Sequence, residues 1–561
     1  MENLKDLLIN SVNNYGACDA FVVKDNEGNH KHISYIRFYE EIRCVVEALI
    51  ERGHLGKRVA IIGNNSYEWF LSNMAVQMMG GISIPLDKEL KASELEECLV
   101  RSKADIIFCD KKTEPIIRQI VEKNTTQIKS VYNLYAGKNE DIRDIINEGK
   151  NLIDHGKNEF DKIEICENKT SFLIFTSGTT SNSKVVMLSQ RNIYKDVINT
   201  LEIADINHRD VNFSLLPYHH MLGSIATYLT LAVGGSTVFC DGLKYLQKNM
   251  KEYKVTIFLA VPLILEAMFK KVMKTVENNG MAGKMKAIRG FTRGLNAVGI
   301  RPNRRIFKGV LDAFGGELRF LFVGGAPCSP EVIRGFQDFG IQVIQGYGLT
   351  ETSPIIAGEA PGRRKIGSVG FPLRENEIII EDPNEEGIGE IVVRGPNVMQ
   401  GYYENEEATK AVLNDGWLRT GDLGYFDKDG YLFITGRTKN VIVLKNGKNV
   451  FPEEMETYIS EFPYCLDNII VGLPNNGDKL DPVVSLKIEY DREYFEGKTE
   501  DEVMKVIQGD VEKLNDLMPA YKRIKRIFIT DSPMIKTTTS KVKRHLEIEE
   551  MLKEEKEKSM H

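Results

Sequence analysis

The chain lacks the features that mark a membrane-spanning or secreted protein. No apolar run among its 561 residues is long enough to cross a bilayer, because stretches such as residues 74–86 and 224–240 are short or interrupted by glycine and polar residues. The opening MENLKDLLINSV lacks the basic and then apolar order of a secretory signal. The eight cysteines form no CxxC pair and show no metal-ligand spacing. We therefore expect a cytoplasmic protein with reduced thiols.

An overall excess of positive charge is also absent. The net charge is −7, which argues against nucleic acid as the main partner. Residues 270–305 are nevertheless locally basic. Two interpretations of this basic segment stay open: the solvated sides of helices, or a peripheral contact with acidic lipid at the inner membrane surface.

The hydrophobic pattern predicts an α/β fold. Short apolar runs at residues 58–62, 82–85 and 104–109 alternate with amphipathic helical patterns, which is typical of parallel βαβ units. Around residues 367–394 the pattern changes to short alternating strands separated by turns, which predicts a small β-rich module. After residue 436, hairpin, helix and strand patterns are mixed, as expected for a separate α+β domain.

A Ser/Thr-rich stretch, TSGTTSNSK at residues 176–184, directly follows the apolar strand pattern SFLIF. We call it the phosphate segment. Backbone N–H groups in a tight loop, together with hydroxyls and a terminal ammonium, suit a polyphosphate. The GxxxxGK[ST] spacing of a Walker A loop is absent. Taken alone, the stretch is compatible with either an ordinary loop or a phosphate-binding loop.

Six further motifs follow the phosphate segment along the chain. They are LLPYHHMLG (215–223), GGAP (324–327), QGYGLTETSP (345–354), GWLRTGDLG (416–424), GRTKNVIVLKNGKNVFPEEME (436–456) and IKTTTSKVKR (535–544). In this order and spacing the seven motifs resemble the superfamily of acyl- and aryl-CoA synthetases, peptide-synthetase adenylation domains and luciferases. The resemblance extends from about residue 30 to about residue 545. It implies an enzyme that uses ATP and Mg²⁺ to form an acyl-adenylate and then passes the acyl group to a thiol, with coenzyme A as co-substrate.

The resemblance also implies a domain arrangement. A large N-terminal domain would cover residues 1–436, with α/β layers at about 1–170 and 171–345 and the β-rich module at 346–436. Residues 437–439 would form a hinge. Residues 440–561 would form a small, mobile α+β lid domain that carries the catalytic lysine.

The resemblance assigns the phosphates of ATP to a defined set of residues. The β- and γ-phosphates would be held by Thr176, Ser177, Gly178, Thr179, Thr180 and Lys184. Thr350 would donate to the α-phosphate, and Glu351 would bind Mg²⁺, a hard cation that prefers carboxylate oxygen. Lys541 would bind the α-phosphate and the acid's carboxylate as negative charge gathers in the transition state.

The nucleoside is assigned in the same way. Tyr347 would stack on adenine, Asp422 would accept hydrogen bonds from the ribose hydroxyls, and Arg437 would support ribose or phosphate. We call the backbone segments implied around adenine the adenine segments, namely Gly325, Ala326 and Pro327, and Gln345, Gly346 and Gly348. Each of these residues also has a purely structural interpretation, such as a turn carboxylate for Asp422 or a core ring for Tyr347.

For the second half-reaction, the resemblance implies rotation of the C-terminal domain about Lys439. Lys541 would leave the site, and the strand around Gly447 would line a channel for pantetheine, where the missing side chain permits close approach. His220 is expected to bind or gate near the carboxylate of the acid, whereas His219 packs or faces water.

Within the superfamily the chain looks most like long-chain fatty acyl-CoA synthetases. The resemblance rests on RVAIIGNNSYEW (58–69), PLDKEL (85–90), LKNGKNVFPEE (444–454) and a long helical insert at about residues 263–314. A medium- or long-chain fatty acid is therefore the expected substrate. The alternatives are an acyl-carrier-protein synthetase, a stand-alone adenylation enzyme and, from another class, a non-catalytic nucleotide or acyl-adenylate binding protein.

Four positions depart from the family pattern. Ser181 and Val185 stand where relatives commonly have glycine, Ser183 where proline is usual, and Ser540 where glycine usually precedes the catalytic lysine. A non-glycine residue at a position that needs φ > 0 costs about 1–2 kcal/mol. Because the implied charged residues are all present, we expect an active enzyme.

Overall fold

The computed structural model describes residues 2–25, 27–135, 140–176, 184–278, 280–297, 302–445, 448–475, 478–536 and 542–560. The chain divides into two compact units. Unit 1 comprises Met1–Ala326, Pro330–Ile378 and Val393–Leu418. Unit 2 comprises Pro327–Ser329, Ile379–Val392 and Arg419–His561.

The helices of the described residues are α1 (Leu4–Tyr15), α2 (Tyr35–Glu51), α3 (Tyr67–Met78), α4 (Ala92–Ser102), α5 (Glu114–Glu122), α6 (Ile142–Asp154), α7 (Gln190–Leu201), α8 (Met221–Ala232), α9 (Leu246–Tyr253), α10 (Pro262–Asn278), α11 (Ala282–Ala297), α12 (Asn303–Ile306), α13 (Lys308–Ala313), α14 (Pro330–Asp338), α15 (Glu406–Val412), α16 (Pro452–Ile459), α17 (Glu500–Asp516) and α18 (Arg544–Met560). Several helices begin at side-chain caps. Ser34, Ser66 and Ser189 each accept a hydrogen bond from the backbone N–H three residues later, which satisfies a donor that the helix itself leaves unpaired.

The strands are β1 (Asp19–Lys24), β2 (His30–Ser34), β3 (Arg58–Ile62), β4 (Ile82–Leu86), β5 (Ile106–Cys109), β6 (Ser130–Asn133), β7 (Thr170–Phe175), β8 (Val185–Ser189), β9 (Val211–Ser214), β10 (Ser236–Phe239), β11 (Ile257–Ala260), β12 (Phe320–Val323), β13 (Gln342–Gly348), β14 (Ile355–Gly358), β15 (Phe371–Pro372), β16 (Glu377–Glu381), β17 (Gly389–Arg394), β18 (Gly401–Tyr402), β19 (Leu413–Asn414), β20 (Trp417–Phe426), β21 (Leu432–Arg437), β22 (Ile442–Val443), β23 (Asn449–Val450), β24 (Cys465–Asn475), β25 (Asp478–Tyr490) and β26 (Arg526–Thr530).

Unit 1 is built on two mixed sheets. One has the strand order β15-β14-β13-β12-β11-β9-β10-β1-β2, and the other has the order β18-β8-β7-β4-β3-β5-β6. The inner pairs, such as β3 with β4 and β12 with β13, are parallel. This arrangement agrees with the α/β fold class predicted from the alternation of strands and helices. The inner strands are apolar on both faces because helices cover both faces of a parallel sheet.

The strands of the two sheets do not divide at residue 170, the predicted boundary between the two α/β layers. Strands β1 and β2 precede this residue but extend the sheet that contains β9–β13, whereas β7 and β8 follow it and join the sheet of β3–β6. The physical reason is packing: Phe21 of β1 is fully buried, lies opposite Thr237 of β10, and stacks on the ring of Phe239 in that strand. Such aromatic contacts are strong stabilising interactions between segments far apart in the sequence.

Unit 2 contains a three-stranded sheet in which β25 is central. It pairs antiparallel with β24 and parallel with β26. Apolar residues of α16, α17 and the sheet form its core, including Met455, Ile470, Leu486 and Ile507. Strands β22 and β23 form a small hairpin, and β16, β17, β19, β20 and β21 belong to a further five-stranded sheet.

The basic segment forms α10 to α12. Arg289 and Arg293 of α11 both pair with Asp338, while Phe291 on the same helix is 64% exposed. Two cations of this segment are therefore paired with a carboxylate beside an exposed aromatic ring, and contact with acidic lipid stays a prediction. In the described part of the chain, none of the helices combines the length and apolar character that crossing a bilayer requires.

Candidate active site

The two ends of the phosphate segment lie side by side in unit 1. Strand β7 ends just before Thr176, and β8 begins just after Lys184. The backbone N–H of Thr176 donates to the Lys184 carbonyl at 3.0 Å, and its hydroxyl donates to the same oxygen at 3.2 Å. The remaining predicted ligands of this segment, Ser177, Gly178, Thr179 and Thr180, lie outside the described residues, as do Ser181 and Ser183. These hydrogen bonds hold Thr176 next to Lys184, and the phosphate-binding role of the two residues stays a prediction.

The backbone at Val185 shows why valine is tolerated at this position, where relatives commonly have glycine. It is the first residue of β8, is buried, and pairs with Phe175 across the antiparallel ladder. It is not among the described non-glycine residues with positive φ. Because its backbone is that of an ordinary strand, valine at this position carries no left-handed strain. Ser540 lies outside the described residues.

Tyr402 joins two charged residues that the sequence assigned to the phosphates and the metal. Its hydroxyl donates to Glu351 Oε1 at 2.9 Å, and Lys184 Nζ lies 4.4 Å from the centre of its ring. Tyr402 reaches this position because β18 pairs with β8, where it lies opposite Val186. Burial and the neighbouring Glu351 carboxylate both raise the pKa of Tyr402. The hydroxyl therefore stays protonated at neutral pH and acts as a donor.

Glu351 lies in a one-turn 3-10 helix, Thr350–Thr352, that is held by backbone and amide hydrogen bonds. The N–H of Met399 donates to the Glu351 carbonyl at 2.8 Å, and Asn397 Nδ2 donates to the Thr352 carbonyl at 2.8 Å. Asn397 is fully buried, so these bonds are shielded from water. The orientation of Glu351 and Thr350 is thus fixed by the chain segment just before β18.

The adenine segments of unit 1 lie at the ends of adjacent strands. Val323 of β12 pairs in parallel with Gln345 of β13, so Gly325, just beyond β12, lies near Gly346 in the neighbouring strand. Gly325 has φ +85°, and a Cβ at Gly346 would lie 2.5 Å from the Phe322 ring. These two positions require glycine in this backbone. Ala326 ends the first segment in unit 1, and Pro327 falls in the short stretch that belongs to unit 2.

Glu359 holds the second adenine segment in place through backbone hydrogen bonds. Its carboxylate accepts the backbone N–H groups of Gln345 and Lys365, both at 3.1 Å. Burial raises the pKa of Glu359 to about 7. Tyr347, two residues after Gln345, is only partly buried and pairs with Ala357 of β14. Tyr347 therefore packs at the edge of the core and stays partly exposed, and its stacking on adenine stays a prediction.

His219 and His220 differ in their surroundings. The side chain of His219 is nearly buried, its Nε2 lies 3.6 Å from Asp87 Oδ2, and burial lowers the pKa of His219. His220 immediately precedes α8, and its carbonyl accepts the N–H of Gly223 at 2.9 Å. His219 thus packs in the interior rather than facing water. The binding or gating role of His220 stays a prediction.

In unit 2, Asp422 and Arg437 form a direct ion pair. They lie opposite each other on β20 and β21, and Arg437 Nε donates to Asp422 Oδ1 at 2.9 Å. The Asp422 side chain is nearly buried, whereas Arg437 is partly exposed. A carboxylate fixed by a guanidinium is an oriented, charged acceptor. The pair that was predicted for the ribose is therefore assembled within this unit.

Lys439 follows Arg437 in the one-turn 3-10 helix Thr438–Asn440 and is exposed. Next to it, Asn440 Nδ2 donates to Glu453 Oε1 at 2.5 Å. The predicted pantetheine-channel residue Gly447 and the predicted catalytic residue Lys541 both lie outside the described residues. Their roles stay predictions.

No metal site is preformed by side chains in the described ranges, where no group of three or more His, Cys, Asp or Glu could hold an ion. This finding is compatible with the predicted Mg²⁺ site, because a magnesium ion bound with nucleotide takes one or two carboxylates and completes its shell with phosphate oxygens and water. Glu351 fits that description.

Comparison with known proteins identifies the family of the chain. Residues 10–403 match the AMP-binding enzyme family, and residues 439–555 match the AMP-binding enzyme C-terminal domain. The chain belongs to the AMP-binding enzyme family. The resemblance inferred from the seven motifs is thereby confirmed.

The relatives and solved structures agree with this assignment. Long-chain-fatty-acid–CoA ligase FadD15 of Mycobacterium bovis is 28% identical over 474 residues, which cover 82% of this chain and 77% of that protein. Long-chain-fatty-acid–CoA ligase 5 of Rattus norvegicus is 27% identical over 565 residues, covering 92% and 82%. The structure of ATP-bound MatB from Rhodopseudomonas palustris has a TM-score of 0.76 at 24% identity and covers 97% of this chain and 98% of that one. The structural similarity confirms the fold: an α/β N-terminal part and a smaller C-terminal domain.

Two residues of the site were not identified from the sequence, Tyr402 and Asn397. Their signal was present in NVMQGYYENEE, where an aromatic pair follows a glycine shortly after the β-rich pattern. The pattern alone gives no reason to place this stretch next to the phosphate segment. That placement depends on the antiparallel pairing of β18 with β8.

Proposed function

We propose that this AMP-binding enzyme is an ATP- and Mg²⁺-dependent acid–thiol ligase. It adenylates a medium- or long-chain fatty acid and transfers the acyl group to coenzyme A, releasing AMP and pyrophosphate. The observation that carries the proposal is the joining of Lys184 and Glu351 by Tyr402, because this arrangement sets an ammonium and a metal-binding carboxylate at the base of the phosphate segment.

In the first half-reaction, an oxygen of the fatty carboxylate attacks the α-phosphorus of ATP in line with the bond to pyrophosphate. The new carboxylate–phosphorus bond forms as the bond to the leaving pyrophosphate breaks. A carboxylate is already a nucleophile, so no protein group has to attack or remove a proton. The contribution of the protein is positioning and charge neutralisation. Lys184 would hold the leaving phosphates, Thr350 would donate to the α-phosphate, and Lys541 would bind the developing charge.

Glu351 is the residue that would hold Mg²⁺. Tyr402 donates to one of its carboxylate oxygens, and the surrounding turn is fixed by Met399 and Asn397. When bound, the ion would neutralise charge on the phosphates. A carboxylate with a fixed orientation offers the metal a preorganised ligand, which lowers the cost of ordering on binding.

Each unit carries a group suited to part of the nucleoside. In unit 1 the partly exposed ring of Tyr347 is available for stacking on adenine. In unit 2 the Asp422 carboxylate, oriented by Arg437, would accept hydrogen bonds from the ribose hydroxyls.

A fatty acid and coenzyme A are proposed as substrates because the relatives described above are long-chain-fatty-acid–CoA ligases. An apolar chain would enter between α8 and the first adenine segment. Leu222 of α8 would lie 3.6 Å from a Cβ built at Gly325, so the two elements are adjacent and the contacting side chain is aliphatic. The basic segment would contact anionic lipid peripherally.

The proposed function is tested by pyrophosphate release from ATP across a panel of acids, from short to long and aromatic. We expect acid-dependent release that is fastest with medium- or long-chain fatty acids, followed by thioester formation with free coenzyme A. Holo carrier protein as the faster acceptor would favour an acyl-carrier-protein synthetase. No acid-dependent release, with nucleotide still bound, would contradict the proposal and favour a binding protein.

Replacing Tyr402 by phenylalanine should weaken the use of MgATP. The change removes one hydrogen bond to a charged carboxylate, worth about 1.5 kcal/mol, which corresponds to about a tenfold effect. We expect kcat/KM for MgATP to fall by about tenfold and the Mg²⁺ concentration for half-maximal rate to rise, with KM for the acid little changed. Steady-state kinetics at varied Mg²⁺ measure both quantities.

The neighbouring tyrosine supplies the control for this test. The Tyr403 hydroxyl accepts a hydrogen bond from Arg58 at 2.7 Å and makes no recorded contact with Glu351. Tyr403→Phe removes the same group one residue away and should leave the Mg²⁺ dependence unchanged. Equal effects of the two variants would show that Tyr402 acts through general stability.

A further inference from the structure

A buried ion pair in unit 2 is not used by the proposed chemistry. Lys487 of β25 donates to Glu547 Oε2 at 2.6 Å, and the two side chains are only 5% and 1% exposed. Burial alone would lower the pKa of Lys487, but the hydrogen bonds that it donates to Glu547 and Glu550 outweigh this effect, so the pKa is raised. The lysine stays charged. A buried pair of this kind is strongly destabilising when one partner is removed, so its position in the fold is fixed.

Glu547 follows residues 537–541 in the sequence, and it also bonds the chain segment that precedes them. Its second oxygen, Oε1, accepts the backbone N–H of Ile535 at 2.6 Å. Glu547 itself lies on α18, which starts at Arg544. One carboxylate therefore connects the chain before this stretch with the helix after it, and Lys541 lies between the two in the sequence.

Backbone hydrogen bonds also join the two segments that flank residues 537–541. We call residues 534–536 the first arm and residues 542–544 the second arm. The N–H of Lys543 donates to the Ile535 carbonyl at 2.7 Å, and Lys536 forms an antiparallel bridge with Val542. The residues on either side of 537–541 thus close onto each other, and Glu547 lies at this closure.

The first arm is further attached to the central sheet of unit 2. Met534 N–H donates to Glu489 Oε2 at 3.0 Å, and Lys536 Nζ lies 2.8 Å from Asp467 Oδ2. Glu489 lies on β25, two residues after Lys487 and on the same face of the strand, whereas Asp467 lies on the neighbouring β24. The position of the arm is therefore set by the sheet.

We propose that Glu547, held by Lys487, is a positioning residue for Lys541 in the adenylation step. This inference rests on the proposed function, because it assumes that Lys541 acts in the first half-reaction. Glu547 is buried and both of its carboxylate oxygens are bonded, so it acts through the backbone at Ile535 rather than by touching substrate. Its effect is confined to adenylation, since Lys541 is not required when the acyl group passes to the thiol.

The test is Glu547→Gln, which keeps the size of the side chain but removes its charge and one strong acceptor. We expect single-turnover pyrophosphate release to fall by at least about tenfold, because a small misplacement of a catalytic group costs up to about 10²-fold. Thioester formation from synthetic acyl-adenylate and coenzyme A should change less than about twofold, given that this step does not use the same geometry.

Glu550→Gln is the matched control. Glu550 binds the same lysine at 2.9 Å, but its side chain is 49% exposed and it does not bond Ile535. Both variants remove one carboxylate from Lys487, and only Glu547→Gln removes the contact with the arm. We expect Glu550→Gln to leave both half-reactions within about twofold of the parent, as is usual for a partly exposed ion pair.

Glu547→Asp separates positioning from folding. It keeps the charge beside Lys487 and withdraws the carboxylate from Ile535, so adenylation should fall to an intermediate level while the thermal unfolding midpoint stays near that of the parent. An equal loss of both half-reactions in the Gln and Asp variants would show a merely structural role and overturn the inference. Unchanged adenylation in the Gln variant would also overturn it.

Lys541→Ala, measured beside these variants, distinguishes failure of the inference from failure of the proposed function. Loss of adenylation in Lys541→Ala with full activity in Glu547→Gln would reject only the positioning role. Full adenylation in Lys541→Ala would reject the proposed role of the lysine, on which the inference depends.

Discussion

Replacing Lys541 by alanine is expected to abolish the adenylation of the acid while ATP still binds. In the proposed reaction, negative charge accumulates between the carboxylate and the α-phosphate, and the Lys541 ammonium is the positively charged side chain assigned to meet it there. A single positioned donor of this kind is worth about 3–4 kcal/mol, or about 10²–10³-fold in rate. Single-turnover release of pyrophosphate measures the loss, and calorimetric titration with ATP measures the binding that is retained.

Two comparisons make this result specific. Lys543→Ala removes a cation two residues away but keeps the backbone bond from Lys543 to Ile535, so its adenylation rate should stay near that of the parent. Lys541→Ala should also still convert synthetic acyl-adenylate and coenzyme A to the thioester. Formation of acyl-AMP by Lys541→Ala at the parent's rate would contradict the mechanism.

The local structure followed from the sequence where the pattern was strong. The apolar runs at residues 58–62 and 82–85 were predicted to be strands, and they form β3 and β4. In both, a run of apolar residues is bounded by polar residues and turns, so local preference and burial agree. The strand predicted at residues 104–109 is shorter in the structure, where β5 begins at Ile106.

The assignment of strands to sheets did not follow from the sequence. Nothing in the pattern DAFVVK shows that β1 pairs with β10, more than 200 residues away, rather than with the nearby β3. The choice depends on long-range contacts such as the stacking of Phe21 on Phe239 of β10. Contacts of this kind are decided by tertiary packing, which a periodicity of 2 or 3.6 residues does not encode.

The residues of the candidate site likewise fall into those that the sequence identified and those that it did not. Lys184, Glu351, Asp422 and Arg437 were identified because charged residues at motif positions have an evident chemical use. Tyr402 and Glu547 were missed because their importance comes from what they contact. One reaches Glu351 only through the pairing of two short strands, and the other reaches Ile535 only through the docking of α18 on β25. Residues that act through other residues carry no chemical motif of their own.

Glu351→Gln is expected to have the second largest effect. Glutamine preserves the shape of the side chain and can still accept the Tyr402 hydroxyl, but it removes the negative charge proposed to bind Mg²⁺. A metal ion supplies several kcal/mol of charge stabilisation, so we expect kcat/KM for MgATP to fall by about 10²-fold or more. The Mg²⁺ concentration for half-maximal rate should rise as well. Glu377→Gln is the control. It removes an exposed partner of Arg394 in the same unit and should leave both kcat/KM for MgATP and the Mg²⁺ dependence unchanged.

Combining Glu351→Gln with Tyr402→Phe tests whether the tyrosine acts through this carboxylate. If it does, removing the hydroxyl costs about tenfold in the parent but less than about twofold once the charge is gone, since residues in one network are not additive. Equal costs in both backgrounds would mean that Tyr402 acts elsewhere, for example by its ring beside Lys184. A strong coupling between the two would show that the metal-binding carboxylate and its hydroxyl donor work as one unit, as the 2.9 Å contact predicts.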